Sequence, residues 1–307
     1  MSNEATDSAT TAEFRFLEGD AARVGRTAPL PAVERVWTSV GDGRRVSALR
    51  FAPQNPPQLV TLHGVGLNAH SFDPMLLALD VPALSIDLPG HGRSDWREDA
   101  DYRPDHLAVD VVTTLEALCS QPVTLLGHSL GGLTASLVAA ARPELVSQLI
   151  VVDITPGISP SRDAGSVTEF ITGQRDYGSV EEIVDRAIQF GIGSDRAALT
   201  RGVSLNTRQR ADGRLEWTHH FAHLEGPLPA GAADDPQPYA PIWASLQSLD
   251  VPVTLVQASA GVVSEELAAE WQDQLPDSSI ITIDGPHNLH EATPRELADV
   301  VRRTLTP

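Results

Sequence analysis

The chain has 307 residues, a formal net charge of −19 at neutral pH and a single cysteine, Cys119. Scattered basic residues, 22 in all, in so acidic a chain argue against nucleic acid, which is bound by neutralising its phosphates. One cysteine precludes an intrachain disulfide and suits a reducing compartment. No apolar run is long enough to span a bilayer and Met1 to Thr11 carries no secretory pattern, so a cytoplasmic location is expected.

Residues 1–25 are expected to form a flexible, polar tail. Residues 33–40 and 45–51 alternate apolar and polar around Gly41-Asp42-Gly43, which predicts a hairpin. Residues 58–62 form a short apolar strand ending at His63-Gly64-Val65-Gly66, and residues 76–79 read as helix. A strand at 83–86 ends in Asp87-Leu88-Pro89-Gly90-His91-Gly92-Arg93-Ser94, a tight turn whose Asp and Arg could tie loops together. Residues 106–118 are an amphipathic helix, with Cys119 read as a small buried hydrophobe. Strands follow at 123–126, 148–153, 251–256 and 278–284, with helices at 133–141 and 294–304. Strands with near-continuous apolar cores, alternating with helices, predict an α/β fold whose mostly parallel sheet carries helices on both faces. Its core is expected from residues 26–156 and 241–307. Residues 157–240 contain no convincing parallel strand. Ser179-Val180-Glu181-Glu182 resembles a capping box opening a helix to Phe190, Ser194 could cap a second helix, and 226–241 is a Pro/Gly/Ala loop. This segment is expected to be a helical cap over the carboxyl ends of the strands.

The chemistry centres on Gly127-His128-Ser129-Leu130-Gly131-Gly132, between an apolar strand and an Ala/Leu-rich helix. Strand, tight turn and helix around Gly-x-Ser-x-Gly predict a nucleophile on a strained turn, with glycines where strand and helix pass closely. The helix start points free N–H groups at any anion formed there. A serine needs a base, oriented in turn by a third group. His287, just past the last strand, is the expected base, with His290 the alternative. After the 251–256 strand no acid appears until Glu265, so Asp153, ending the preceding strand, is the expected acid. Glu265 and Glu266 are held in reserve, as better suited to the start of their own helix, and Asp153 could instead pin backbone amides. The oxyanion hole is expected from the N–H groups of Leu130 and Val65. His128 is expected to support the elbow, and nothing places His91 against Ser129. His219 and His223 share a helix face but lack a partner carboxylate, so they are read as cap or surface side chains and no metal site is expected.

His63-Gly64, the 87–94 turn and the 127–132 elbow together resemble the α/β-hydrolase superfamily, in its esterase-like branch, over about residues 33–304. The resemblance implies an eight-stranded, mostly parallel sheet with a helical cap after the sixth strand. It implies Ser129 as nucleophile, His287 as base and Val65 with Leu130 as oxyanion hole. Many members carry the acid after the seventh strand in a Gly-x-x-Asp turn. Here that turn reads Ala258-Ser259-Ala260-Gly261, so the acid is expected where some members place it, after the sixth strand, at Asp153. A serine nucleophile sets the chain apart from the haloalkane dehalogenase and epoxide hydrolase branches. The expected activity is cofactor-free hydrolysis of a small-molecule carboxylic ester, lactone or thioester through an acyl-enzyme on Ser129. Two alternatives are a carbon–carbon bond hydrolase of the same fold and a slow-turnover ligand-binding receptor. Oligomeric state and the substrate-binding residues within 157–240 are not legible.

Overall fold

A computed structural model of the chain describes residues 13–159, 169–170, 173–224 and 237–305. In chain order, the first half runs α1 (Leu17–Arg23), β1 (Val33–Ser39), β2 (Arg45–Phe51), β3 (Leu59–Leu62), α2 (Asp73–Leu79), β4 (Ala83–Asp87), α3 (Pro104–Leu118), β5 (Val123–His128), α4 (Leu130–Ala141) and β6 (Val146–Val152). The intervening segment carries β7 (Asp176–Tyr177), α5 (Val180–Gln189), α6 (Arg196–Asn206), β8 (Thr207–Gln209) and β9 (Leu215–Trp217). The chain then completes the sheet with α7 (Ile242–Gln247), β10 (Val253–Ala260), α8 (Glu265–Gln274), β11 (Ser279–Pro286), α9 (Leu289–Ala292) and α10 (Pro294–Leu305).

The main sheet has eight strands in the order β1-β2-β4-β3-β5-β6-β10-β11. β2 pairs antiparallel with β1 and β4, and every pairing from β4 to β11 is parallel. Parallel strands need helices on both faces, and the side chains divide accordingly. Leu125, Leu149, Val151 and Leu255 pack on one face with α3, α4 and α8. Leu126, Ile150, Val152 and Val256 pack on the other with α2 and α10. Successive residues thus serve opposite cores, as the two-residue period of a strand requires. Tyr177, Ile183, Val184 and Trp217 of the intervening segment join the first core, so that segment is packed on the main body.

Three sequence expectations are corrected. Residues 13–25 are not a flexible tail; 1–12 lie outside the described residues. Leu17, Ala21 and Val24 pack on Leu77 of α2, an i, i+4, i+7 stripe too short to stand out in a polar stretch. The 157–240 segment is not purely helical, because β7, β9 and β8 form a three-stranded antiparallel sheet. Strands of two and three residues fall below any periodicity signal. The second helix there is capped by Asp195, not Ser194: its carboxylate accepts from the amides of Ala197 and Ala198 at 2.9 and 3.2 Å. Ser179 does cap α5, accepting from the Glu182 amide at 3.3 Å, but the Glu182 carboxylate reaches Gly178 N rather than Ser179 N. Most of the 226–241 loop lies outside the described residues. Cys119 is half-buried at the end of α3, and burial pushes its thiol up to about 11.

Buried ions fasten the outer pieces to the sheet. The Arg201 guanidinium of α6 meets Asp20 of α1 at 2.7 Å and Asp73 of α2 at 3.2 Å, all three side chains at most 8% exposed. Beside them, His70 bonds Asp73 through Nδ1 at 2.8 Å. Burial alone would lower the His70 pKa, but Asp73 and Glu13 outweigh it and raise it to about 9. Removing one partner of such a cluster strands the others unpaired, so Arg201→Ala should lower unfolding free energy in urea titrations by about 3–5 kcal/mol. His70 is protonated in the fold above its ordinary pKa of 6.5, so its contribution is complete below that pH and is lost as pH rises through about 9. The stability gap between the wild type and His70→Asn should therefore close across that window in urea titrations at stepped pH.

Candidate active site

The functional groups predicted from sequence gather where the parallel strands end. Gly127 pairs with Leu62 of β3 and Val151 of β6, which sets the ends of these strands in line. The chain keeps the ladder for one further step: Ser129 N donates to Val152 O at 3.1 Å, and Asp153 N donates to Val256 O at 2.8 Å. Serine and aspartate therefore follow adjacent strands at the same edge, where open α/β sheets bind ligands.

Ser129 has φ 52° and ψ −123°, a strained conformation costing about 1–3 kcal/mol that the surrounding turn must hold. The turn is tight enough to need its glycines. A Cβ on Gly127 would stand 2.2 Å from Gly131 O, and one on Gly131 would stand 2.3 Å from Leu62 O.

Asp153 is fully buried and accepts three hydrogen bonds, from Ala258 N at 3.0 Å, Val262 N at 2.8 Å and His287 Nδ1 at 2.7 Å. One carboxylate thus pins two amides of the Ala258–Val262 turn and holds the histidine. The space it fills is left by Gly261, where a Cβ would stand 2.0 Å from Asp153 Oδ2. Glu265 and Glu266 lie in the first turn of α8, and the acid on His287 is Asp153. Because the Asp153 carboxylate accepts, the imidazole donates from Nδ1, leaving Nε2 as the acceptor.

The histidines behind this pair are spacers. His128 Nε2 donates to His287 O at 3.1 Å, and its ring packs 4.5 Å from those of His287 and His290. His290 is buried against Phe72 with both ring nitrogens unpartnered. Burial, reinforced by neighbouring imidazoles, drives His128 and His290 well below the usual histidine range and keeps them neutral. The hydroxyl of Ser129 makes no hydrogen bond among the described residues.

The loop after β3 closes over the elbow. A Cβ on Gly64 would fall 2.8 Å from His128 Nδ1 and 3.1 Å from Ser129 Cβ, so only a bare backbone approaches this far. His63, to which the sequence lent no separate role, anchors that loop. Its Nδ1 donates to Gly64 O at 2.8 Å while its Nε2 accepts from Leu88 N at 3.0 Å, and burial lowers its pKa. The amides of Val65 and Leu130 have no partner among the described residues.

Other marked residues are structural. Asp87 takes Arg35 at 2.6 Å and the amides of Ala69 and Arg93 at 2.7 and 3.1 Å. Burial would raise its pKa, but Arg35 and those amides hold it low. His91 packs edge-on to His63. His219 is buried against Trp217 and burial lowers its pKa to about 3, while His220 stacks on Trp96 and His223 Nε2 donates to Trp217 O. Among the described residues, no group of three or more His, Cys, Asp or Glu is arranged to hold a metal ion.

A largely apolar cavity of about 360 Å³ abuts this edge. Gly66 and Leu67 line it just after Val65, and Pro286 and Asn288 line it on either side of His287. Its outer wall comes from α5, α6 and Trp217. No sequence signal marked these lining residues, because they become neighbours only when the segment docks.

Residues 59–300 match the model of the alpha/beta hydrolase family. The chain belongs to the alpha/beta hydrolase family. It is 33% identical over 302 residues to the esterase Rv0045c of Mycobacterium tuberculosis, covering 95% of each chain. A crystal structure of that esterase superposes with a TM-score of 0.82, covering 96% of this chain and 99% of the other. A second relative from that organism, the lipase LipV, is 28% identical over 260 residues, or 84% of this chain and 97% of its own length. Among the described residues of this family member, no helix is long and apolar enough to cross a membrane.

Gly261→Ala should push the Asp153 carboxylate off His287, since a methyl group cannot share its position. Proton NMR should show a downfield Nδ1–H resonance of His287 in the wild type and none in the variant.

Proposed function

We propose that this family member is a serine hydrolase that cleaves carboxylic esters through an acyl-enzyme on Ser129. The observation that carries the reading is the 2.7 Å bond between buried Asp153 and His287 Nδ1, at the same sheet edge as the elbow serine. The esterase and lipase names of the full-length relatives support the ester as the bond cleaved.

The chemistry follows from the geometry. Asp153 holds the tautomer that leaves His287 Nε2 free to take the Ser129 proton. As Oγ bonds to the carbonyl carbon, the carbonyl oxygen gains the negative charge and accepts from the Val65 and Leu130 amides. The intermediate collapses, the ester C–O bond breaks, and His287 protonates the departing alkoxide. Water then gives a proton to His287 and attacks the acyl carbon, and Ser129 leaves with that proton as the free acid forms. The 157–240 segment acts as the cap, and the apolar cavity beneath it takes the acyl chain. Its size and lining favour short to medium apolar chains.

Turnover of p-nitrophenyl butyrate tests this. Ser129→Ala should abolish both hydrolysis and labelling by a fluorophosphonate. Asp153→Asn should lower kcat by a factor on the order of 10⁴, as loss of the orienting carboxylate favours the wrong tautomer. Wild-type rates in the Ser129→Ala protein would overturn the assignment.

A further inference from the structure

Among the described residues, two acids line the cavity: Asp195, whose carboxylate is committed to capping α6, and Glu291. Glu291 lies on α9, four residues after His287, and lines the cavity with Gly202 of α6 facing it. Oε2 accepts from Asn288 Nδ2 at 3.3 Å. Oε1 faces bare backbone, since even a Cβ on Gly202 would stand 3.7 Å away. No Lys, Arg or His nitrogen among the described residues forms a salt bridge with this carboxyl. Arg23 donates to the Glu291 main-chain carbonyl at 2.6 Å, and Arg201 is committed to Asp20 and Asp73. The wall also holds Leu67, Phe170, Leu199, Val203 and Trp217, and Arg23 lines it beside Glu291.

A polar group facing such a space is costly unless a ligand completes its hydrogen bonds. We propose that Glu291 determines specificity: it accepts a hydrogen bond from an uncharged donor, a hydroxyl or amide N–H, on the substrate's acyl chain. The assignment rests on the ester-hydrolase reading and names the substrate class for it. Burial raises the Glu291 pKa, against the pull of Arg201 and Arg23, and an oxygen remains to accept from a donor in either protonation state. A methyl chain end brings no donor and leaves that oxygen unpaired.

The test compares methyl esters of matched chain length, from four to eight acyl heavy atoms, ending in methyl or hydroxyl. At one chain length the wild type should prefer hydroxyl over methyl by about tenfold in kcat/KM, carried by KM. Glu291→Gln keeps an acceptor, so it should retain the hydroxyl preference. Glu291→Leu should invert the order to methyl over hydroxyl, with circular dichroism melting reporting its fold. The proposal is overturned if the wild type shows no hydroxyl preference at any length, or if a folded Glu291→Leu protein keeps it. A wild type that hydrolyses none of the esters, methyl-terminated ones included, overturns the ester reading and this assignment with it.

Discussion

One carboxylate and one missing side chain organise the site. Asp153 is fully buried, and burying an ion is tolerable only where its lone pairs are spoken for. Two amides and an imidazole supply that, and they come from the Ala258–Val262 turn and the residue after β11. The acid therefore splices β6, β10 and β11 together at the edge where the chemistry would occur. It can do so only because Gly261 carries no Cβ. The turn that offers an aspartate in many relatives offers a hole here, and the neighbouring strand fills it.

The same economy appears in how the outer segments are held. Few basic side chains exist in this chain, yet two of the most buried, Arg35 and Arg201, sit at seams. Arg35 joins Glu13 to Asp87 and so ties the N-terminal segment to the turn after β4. Arg201 ties α6 to α1 and α2. Such pairs contribute little net energy beyond apolar packing, but they penalise any other placement heavily. They set where α6 lies, and α6 is a wall of the apolar cavity.

Two cavities meet back to back at this seam. Asn68 divides them, donating to Leu205 O and Asn206 Oδ1 at 2.8 and 2.7 Å. The larger, about 700 Å³, is polar, and its Arg35, Arg93 and Arg208 are each paired with an acid. The smaller is apolar and touches the residues beside Val65 and His287. Adjacency to His287 and the elbow, not volume, is the reason the proposed acyl chain is assigned to the smaller one.

Local patterns carried the sheet, the elbow and the place of the histidine, because strand periodicity, tight-turn glycines and strand-end positions are written in neighbouring residues. Residues 13–25 and the three short strands of the 157–240 segment were not legible, since their stability comes from partners far along the chain rather than from their own periodicity. Order along the chain favoured Asp153 over the glutamates of α8, whose place at a helix start gives them another role. How a buried Asp153 is accommodated needed the geometry, because the space it fills is left by Gly261, and such a space has no sequence motif. The same holds for the cavity and Glu291. The sequence by itself determined the fold class and the candidate reaction, through local conformational preference and side-chain chemistry. Only the tertiary structure decided what holds the Asp153 carboxylate against His287 and what lines the adjoining cavity, because both depend on how closely distant backbones approach.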